Sequence, residues 1–219
     1  MWALINTSDN SITEIIRFPK TIVTSDNITH PRSIFTKWSW DELNAINIYT
    51  VEATTGMKNE KFYNNSQPEY KFDATNKKIT STVTTSEKAL DDSEAKDEDG
   101  NNILDEKGNK IYNYGLKTQA KNQATTTANG YLKRFDWLIA RNVTASTAIP
   151  DAVKTYMAAI RTDHKDICDA IDAASDMAAF QLLFADTYNY DSDGEITSVK
   201  EVARVNRWTD SYDVEQYAR

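Results

Sequence analysis

Over the first third of the chain apolar residues alternate with polar ones in short runs, and over the last third they recur at spacings of three and four. That change of period is a change from strand patterning to helix patterning. Trp2 to Ile5 and Ile12 to Phe18, separated by the polar cluster Thr7 to Ser11, predict an opening β-hairpin. A second hairpin is predicted by Tyr70 to Asp73 and Lys77 to Thr84 around the turn Ala74-Thr75-Asn76. In its return strand Ile79, Ser81 and Val83 share one face and threonines occupy the other, the mark of a half-buried strand. Between the hairpins Ser39 suits the N-cap of a short helix with Asp41 and Glu42 in its first turn, and Ile48 to Val51 reads as a strand. Residues 1–86 therefore form a small β-rich head, and the fold class expected for the whole chain is α+β.

Residues 87–114 are acidic and polar and include Asp97-Glu98-Asp99-Gly100-Asn101-Asn102 and Lys107-Gly108-Asn109. Such a stretch buries too little apolar surface to offset backbone ordering, so it is expected to be a linker, a long loop or a polar hairpin, with the domain boundary inside it. Residues 115–219 read as a helical region with an irregular C-terminal tail. Helix formers run from Leu116 to Phe135, weakened in the middle by Thr125, Thr126, Thr127 and Gly130. Pro150 suits the start of a second helix, because its missing N–H would have no partner there, and Asp151 favours the positive end of the helix dipole. From that start Val153, Met157, Ile160, His164, Ile167 and Ile171 make one apolar stripe, which fits a coiled-coil seam or a neighbour in a bundle equally well. Ser175-Asp176 can cap a further helix holding Met177, Phe180, Leu183 and Phe184.

Composition narrows the function classes. A formal net charge of -8 and an isoelectric point near 4.9, with no Lys/Arg cluster, repel phosphate backbones and anionic lipid, so no nucleic-acid partner is expected. No apolar run approaches the roughly 20 residues of a membrane helix, and the start is too short and uncharged for a signal peptide, so no membrane insertion or secretion is expected. The single cysteine, Cys168, excludes intramolecular disulfides and cysteine-based metal clusters and fits synthesis in a reducing cytosol. Asn27-Ile28-Thr29 and Asn142-Val143-Thr144 are then chance matches to the glycan acceptor pattern.

Chemistry-bearing patterns are sparse. Asn189 to Ile196 has the oxygen ligands, sixth-position glycine and eighth-position isoleucine of a calcium loop, but Lys200 stands where the bidentate carboxylate belongs. A polar turn is expected there, and a calcium-dependent host-surface binding module using Asn189 to Glu195 is an alternative function. The Asp97 to Asn102 run fails that pattern earlier, because Ala95 takes the first ligand position. His30 and His164 lie too far apart in sequence to suggest a zinc pair, His164 sits on the apolar stripe, and Cys168 lacks a basic setting, so an inert thiol is expected. With no phosphate loop, serine elbow or paired catalytic carboxylates, no enzyme activity and no cofactor are expected. The aromatic residues point instead to protein contact: Trp38, Trp40, Trp137 and Trp208, with Val153, Met157, Ile160, Ile167 and Ile171 of the stripe, are the candidate interface positions. Asp136 can cap a helix that presents Trp137, joining it to the helix that starts at Pro150.

One stretch carries a family resemblance. Phe135-Asp136-Trp137-Leu138-Ile139-Ala140-Arg141, then Ile149-Pro150, then Tyr156-Met157-Ala158-Ala159-Ile160-Arg161 resembles runs near the C-terminal ends of bacteriophage tail-fibre-associated and tail-assembly proteins. Trp2-Ala3-Leu4-Ile5, Phe18-Pro19, His30-Pro31 and Leu43 to Val51 follow the order of the N-terminal heads of the same group. The resemblance implies a structural component of a viral tail, fibre or baseplate associated, assembled in the host bacterial cytoplasm and retained in the virion. Its partners would be other phage tail or fibre proteins, with the helices supporting a homo-oligomer. The group also contains assembly chaperones that leave the particle, and the long acidic segment at 87–114 sets this chain apart from the shortest of them.

Overall fold

The computed structural model describes residues 1–219, which divide into two compact units, Met1–Glu87 and Lys88–Arg219. The fold is α+β, with small antiparallel sheets in both units and the long helices in the second.

In the first unit, strands β1 (Trp2–Ile5), β2 (Ile12–Ile16) and β5 (Ile48–Thr50) form an antiparallel sheet in the order β2-β1-β5. Between β2 and β5 in sequence lie the short pair β3 (Ile22–Val23) and β4 (Thr29–His30) and two short helices, α1 (Ile34–Lys37) and α2 (Trp40–Ala45). The central strand is apolar throughout because both of its faces are covered. Leu4, with Trp2 beside it, packs with Ile16, Ile34, Phe35, Leu43 and Ile48 on the helix side. Ala3 and Ile5 face the other way, onto Tyr49, Ile79, Tyr70 and Phe72. The second layer is the hairpin β7 (Glu69–Asp73) and β8 (Lys78–Thr82), while β6 (Tyr63–Asn65) pairs with β9 (Thr85–Glu87). Ile79, Ser81 and Val83 are buried on one face as their alternation predicts, and the buried Ser81 hydroxyl is bonded to that of Thr54 at 2.9 Å. Helix α2 starts at a reciprocal cap: Glu42 N–H donates to Ser39 Oγ at 3.3 Å, and Ser39 N–H donates to Glu42 Oε2 at 2.7 Å.

The second unit begins with β10 (Ser93–Glu94) and β11 (Tyr112–Asn113), then α3 (Leu116–Lys133), α4 (Asp136–Ala145), α5 (Asp151–Ala173) and α6 (Met177–Leu182). A hairpin of β12 (Thr187–Tyr190) and β13 (Ile196–Glu201) and two 3-10 turns, Arg204–Asn206 and Tyr212–Tyr217, complete it. Thr125, Thr126 and Thr127 stay helical, each hydroxyl donating to the carbonyl four residues back. Pro150 immediately precedes the first helical residue, Asp151, whose carboxylate pairs with Lys154 at 2.9 Å.

The 87–114 segment takes the hairpin form among those expected of it: from Lys88 onward it belongs to the second unit and forms paired hairpins. Two expectations for this unit are corrected. The irregular tail contains β12 and β13. Asp136 does not cap α4; Phe135 holds the N-cap position without a side-chain bond and Asp136 sits in the first turn. Burial of the Phe135 ring against Tyr156, 5.5 Å between centroids, orients this junction instead of a capping carboxylate.

Candidate interaction surface

Three turns of the second unit share one local design. Asp97-Glu98-Asp99-Gly100-Asn101, Asp105-Glu106-Lys107-Gly108-Asn109 and Asp191-Ser192-Asp193-Gly194-Glu195 each place an aspartate at the first position and a glycine at the fourth. In each, the first carboxylate accepts from the N–H groups two and four residues on, at 2.8–3.0 Å across the three turns. The glycines have φ of +84°, +83° and +84°, a left-handed conformation that costs a side-chain-bearing residue strain. The aspartate and the fifth residue exchange the backbone bond that starts the strands, as in Asp105 N–H to Asn109 C=O at 2.8 Å. Amide donors from Asn101 hold the Asp97 carboxyl below its usual range, and the Asn109 side chain followed by its N–H does the same for Asp105. The calcium-like loop is thus a hairpin turn: its first carboxylate is engaged by the backbone, and its eighth to twelfth positions run along β13.

The first two turns are successive copies eight residues apart, Asp97 to Ile103 and Asp105 to Ile111. They fold the segment about a closed backbone ring. Ala95 N–H donates to Ile111 C=O at 2.8 Å, Ile111 N–H to Ile103 C=O at 2.9 Å, and Ile103 N–H to Ala95 C=O at 2.9 Å. The ring is bolted to the start of α3: Leu116 and Lys117 N–H donate to the carbonyls of Ala89 and Leu90, and Gly115 N–H to Asp92 Oδ1 at 2.8 Å. Outside the ring, Ile103, Leu104, Ile111, Tyr112 and Tyr114 are exposed, Tyr114 at 62%. Lys110 pairs with Glu94 at 2.5 Å across the same element.

The interface positions expected from the sequence separate into two groups. Trp40, 57% exposed, and Trp38 lie at the surface of the first unit, with Trp38 edge-on to His30 at 5.6 Å. The others face inward. Val153, Met157 and Ile160 pack with Phe135, Leu138, Tyr156 and Val214 in one core cluster, and Ile167 and Ile171 are fully buried further along α5. Of the two arrangements its spacing fits, the stripe takes the bundle packing: it meets α3 and the C-terminal turns of its own chain, where Ala124 and Ala128 leave room for it. Trp208 is half-buried against the same cluster, 5.6 Å from the Tyr131 ring. Trp137 is half-buried too, its Nε1–H donating to Tyr217 C=O at 3.0 Å and its ring flanked by the guanidinium groups of Arg219 at 3.9 Å and Arg141 at 5.0 Å.

The remaining chemical candidates are tied into helix packing. His164 Nε2 lies 2.9 Å from Thr125 Oγ1 and 3.5 Å from Cys168 Sγ, bridging α3 and α5, and burial pushes the Cys168 thiol up, away from the nucleophilic thiolate. No family model matches the chain, and no curated protein and no solved structure matches it. The signal that pins the turns of the 87–114 hairpins is the eight-residue repeat D-E-x-G-N-x-I at Asp97 and Asp105, and the D-x-D-G core common to Asp97 and Asp191 marks the third turn.

Proposed function

We propose that the chain is a non-enzymatic structural component of a bacteriophage tail, associated with the fibre or baseplate, and that it attaches to neighbouring tail proteins through surfaces its own fold leaves uncovered. The observation that carries the attachment role is the ring-closed double hairpin, whose exposed Ile103, Leu104, Ile111, Tyr112 and Tyr114 are held on a backbone fixed to α3. Large apolar side chains on a hydrogen-bonded, polar-rimmed backbone spare a partner the cost of ordering that backbone, leaving only side-chain freedom to be lost on contact. Trp40 offers a second anchor on the head. The tail assignment is supported by the resemblance of the Phe135 to Arg161 run and of the head motifs. The net charge of -8 favours protein partners over nucleic acid.

Mass spectrometry of purified particles of the virus encoding the chain tests this reading. Its peptides are expected in the particle at a fixed ratio to known tail proteins. Peptides found in the assembling lysate but missing from the particle would replace the reading with that of an assembly chaperone.

A further inference from the structure

Strand β13 has one edge paired to β12, and no other strand of the chain covers the second. All six of its residues are exposed, Ile196 at 57% and Val199 at 50%. The run Glu195-Ile196-Thr197-Ser198-Val199-Lys200 is self-complementary when read against itself in reverse: acid meets base, aliphatic meets aliphatic, hydroxyl meets hydroxyl. We infer that a second copy of this chain pairs antiparallel along β13, with the two-fold axis between Thr197 and Ser198. Ile196 then lies opposite the partner's Val199, Thr197 opposite the partner's Ser198, and Glu195 opposite the partner's Lys200. Symmetry makes each pair twice.

The faces agree as well as the charges. Within the hairpin Tyr190 stands opposite Ile196 and Tyr188 opposite Val199, so these four share the apolar face. Asn189 stands opposite Ser198 on the other face, its Nδ2 donating to Ser198 Oγ at 3.0 Å. The register shift at Asn189/Tyr190 leaves Thr197 as an extra residue, which is why two aliphatics three positions apart lie on one face. Pairing Ile196 with the partner's Val199 preserves that match and joins two apolar faces into one across a four-stranded sheet. A slip of one residue destroys it, setting Glu195 against the partner's Glu201 and Ile196 against the partner's Lys200. Strand β12 does not offer the same partner, because Asp186 and Asp191 flank it and antiparallel self-pairing would bring acid to acid at both ends. A two-stranded hairpin exposed on both faces is marginal alone, and the second copy supplies what it lacks.

This inference does not depend on the tail assignment. Sedimentation velocity of the full chain across a concentration series tests it. A reversible dimer with a Kd of about 0.1 mM or tighter is expected for the unaltered chain. Glu195→Lys and Lys200→Glu should each weaken it about tenfold by setting like charges opposite one another, and the double variant should restore it to within about threefold. Circular dichroism checks that all variants keep the fold, as these exposed positions permit. A monomer up to about 1 mM, a dimer indifferent to both single changes, or a double variant no tighter than either single one would each overturn the inference.

Discussion

The indole of Trp137 donates its N–H to the backbone carbonyl of Tyr217 at 3.0 Å, fastening the last turn of the chain to α4. Around that bond Arg134 pairs with Glu215, Arg219 N–H donates to Arg134 C=O at 3.1 Å, and Val214 is buried in the helical core. Trp137→Phe keeps most of the ring and removes the donor, leaving the Tyr217 carbonyl without it. The expected cost is about 1 kcal/mol. Chemical denaturation measures it, and limited proteolysis should show faster cleavage within residues 211–219.

Gly115 and Gly130 make a contrasting pair near the two ends of α3. A β-carbon on Gly115 would lie 2.4 Å from the Leu90 carbonyl oxygen and 2.5 Å from the Asp91 carbonyl carbon, backbone that cannot swing aside. Gly115→Ala should destabilise by roughly 1–3 kcal/mol. A β-carbon on Gly130 would meet nothing within 4 Å, in helical backbone at the surface. Gly130→Ala should stabilise by about 0.4–1 kcal/mol, because alanine loses less backbone freedom on folding. Thermal unfolding of the two variants should move in opposite directions.

Ile160 and Ile167 are fully buried on α5. Truncating either to alanine should cost roughly 2–5 kcal/mol through lost burial and the cavity left behind. The cost should be the same at every protein concentration, because these side chains pack within their own chain. Denaturation at two concentrations checks it; a loss that grows on dilution would mark the stripe as a contact between copies.

Acid should loosen the double hairpin. The carboxyls of Asp97 and Asp105 are held below their usual range by amide donors, so their contribution to stability is present above the unfolded carboxylate range, near about pH 4, and fades as pH falls through the lower folded values. Both groups are exposed, so the effect is confined to the turns. Protection of the Asp99, Asn101, Lys107 and Asn109 amides, taken relative to the intrinsic exchange rate at each pH, should fall between about pH 4 and pH 2 by more than at amides within α5. Asp105→Asn, which keeps an acceptor but no charge, should flatten that dependence at the second turn.

Much of the head was legible because its signals are local. Ser39 and Glu42 stand three apart, and Ile79, Ser81 and Val83 alternate, so cap and strand face follow from spacing alone. The stripe of α5 was legible as a helix face, but its neighbour was not. The buried side of α3 is built from Leu116 and the small residues Ala124 and Ala128, which leave little apolar periodicity to read. The double hairpin hid its order for a different reason. Acidic and polar composition at 87–114 argued against ordering, yet three backbone bonds and two carboxylate-capped turns order it without a large core. Composition reports what a segment can bury; it is silent on how well a short loop can satisfy its own amides.

The backbone ring through Ala95, Ile103 and Ile111 has a consequence for how this element can vary. Every N–H and C=O that faces the ring is taken by the next member, so an eight-residue copy cannot be appended as a strand is added to a sheet edge. The element counts to three. Variation is left to the turn residues and to the side chains pointing away from the ring, so the chemistry this element presents can change residue by residue while its size stays fixed.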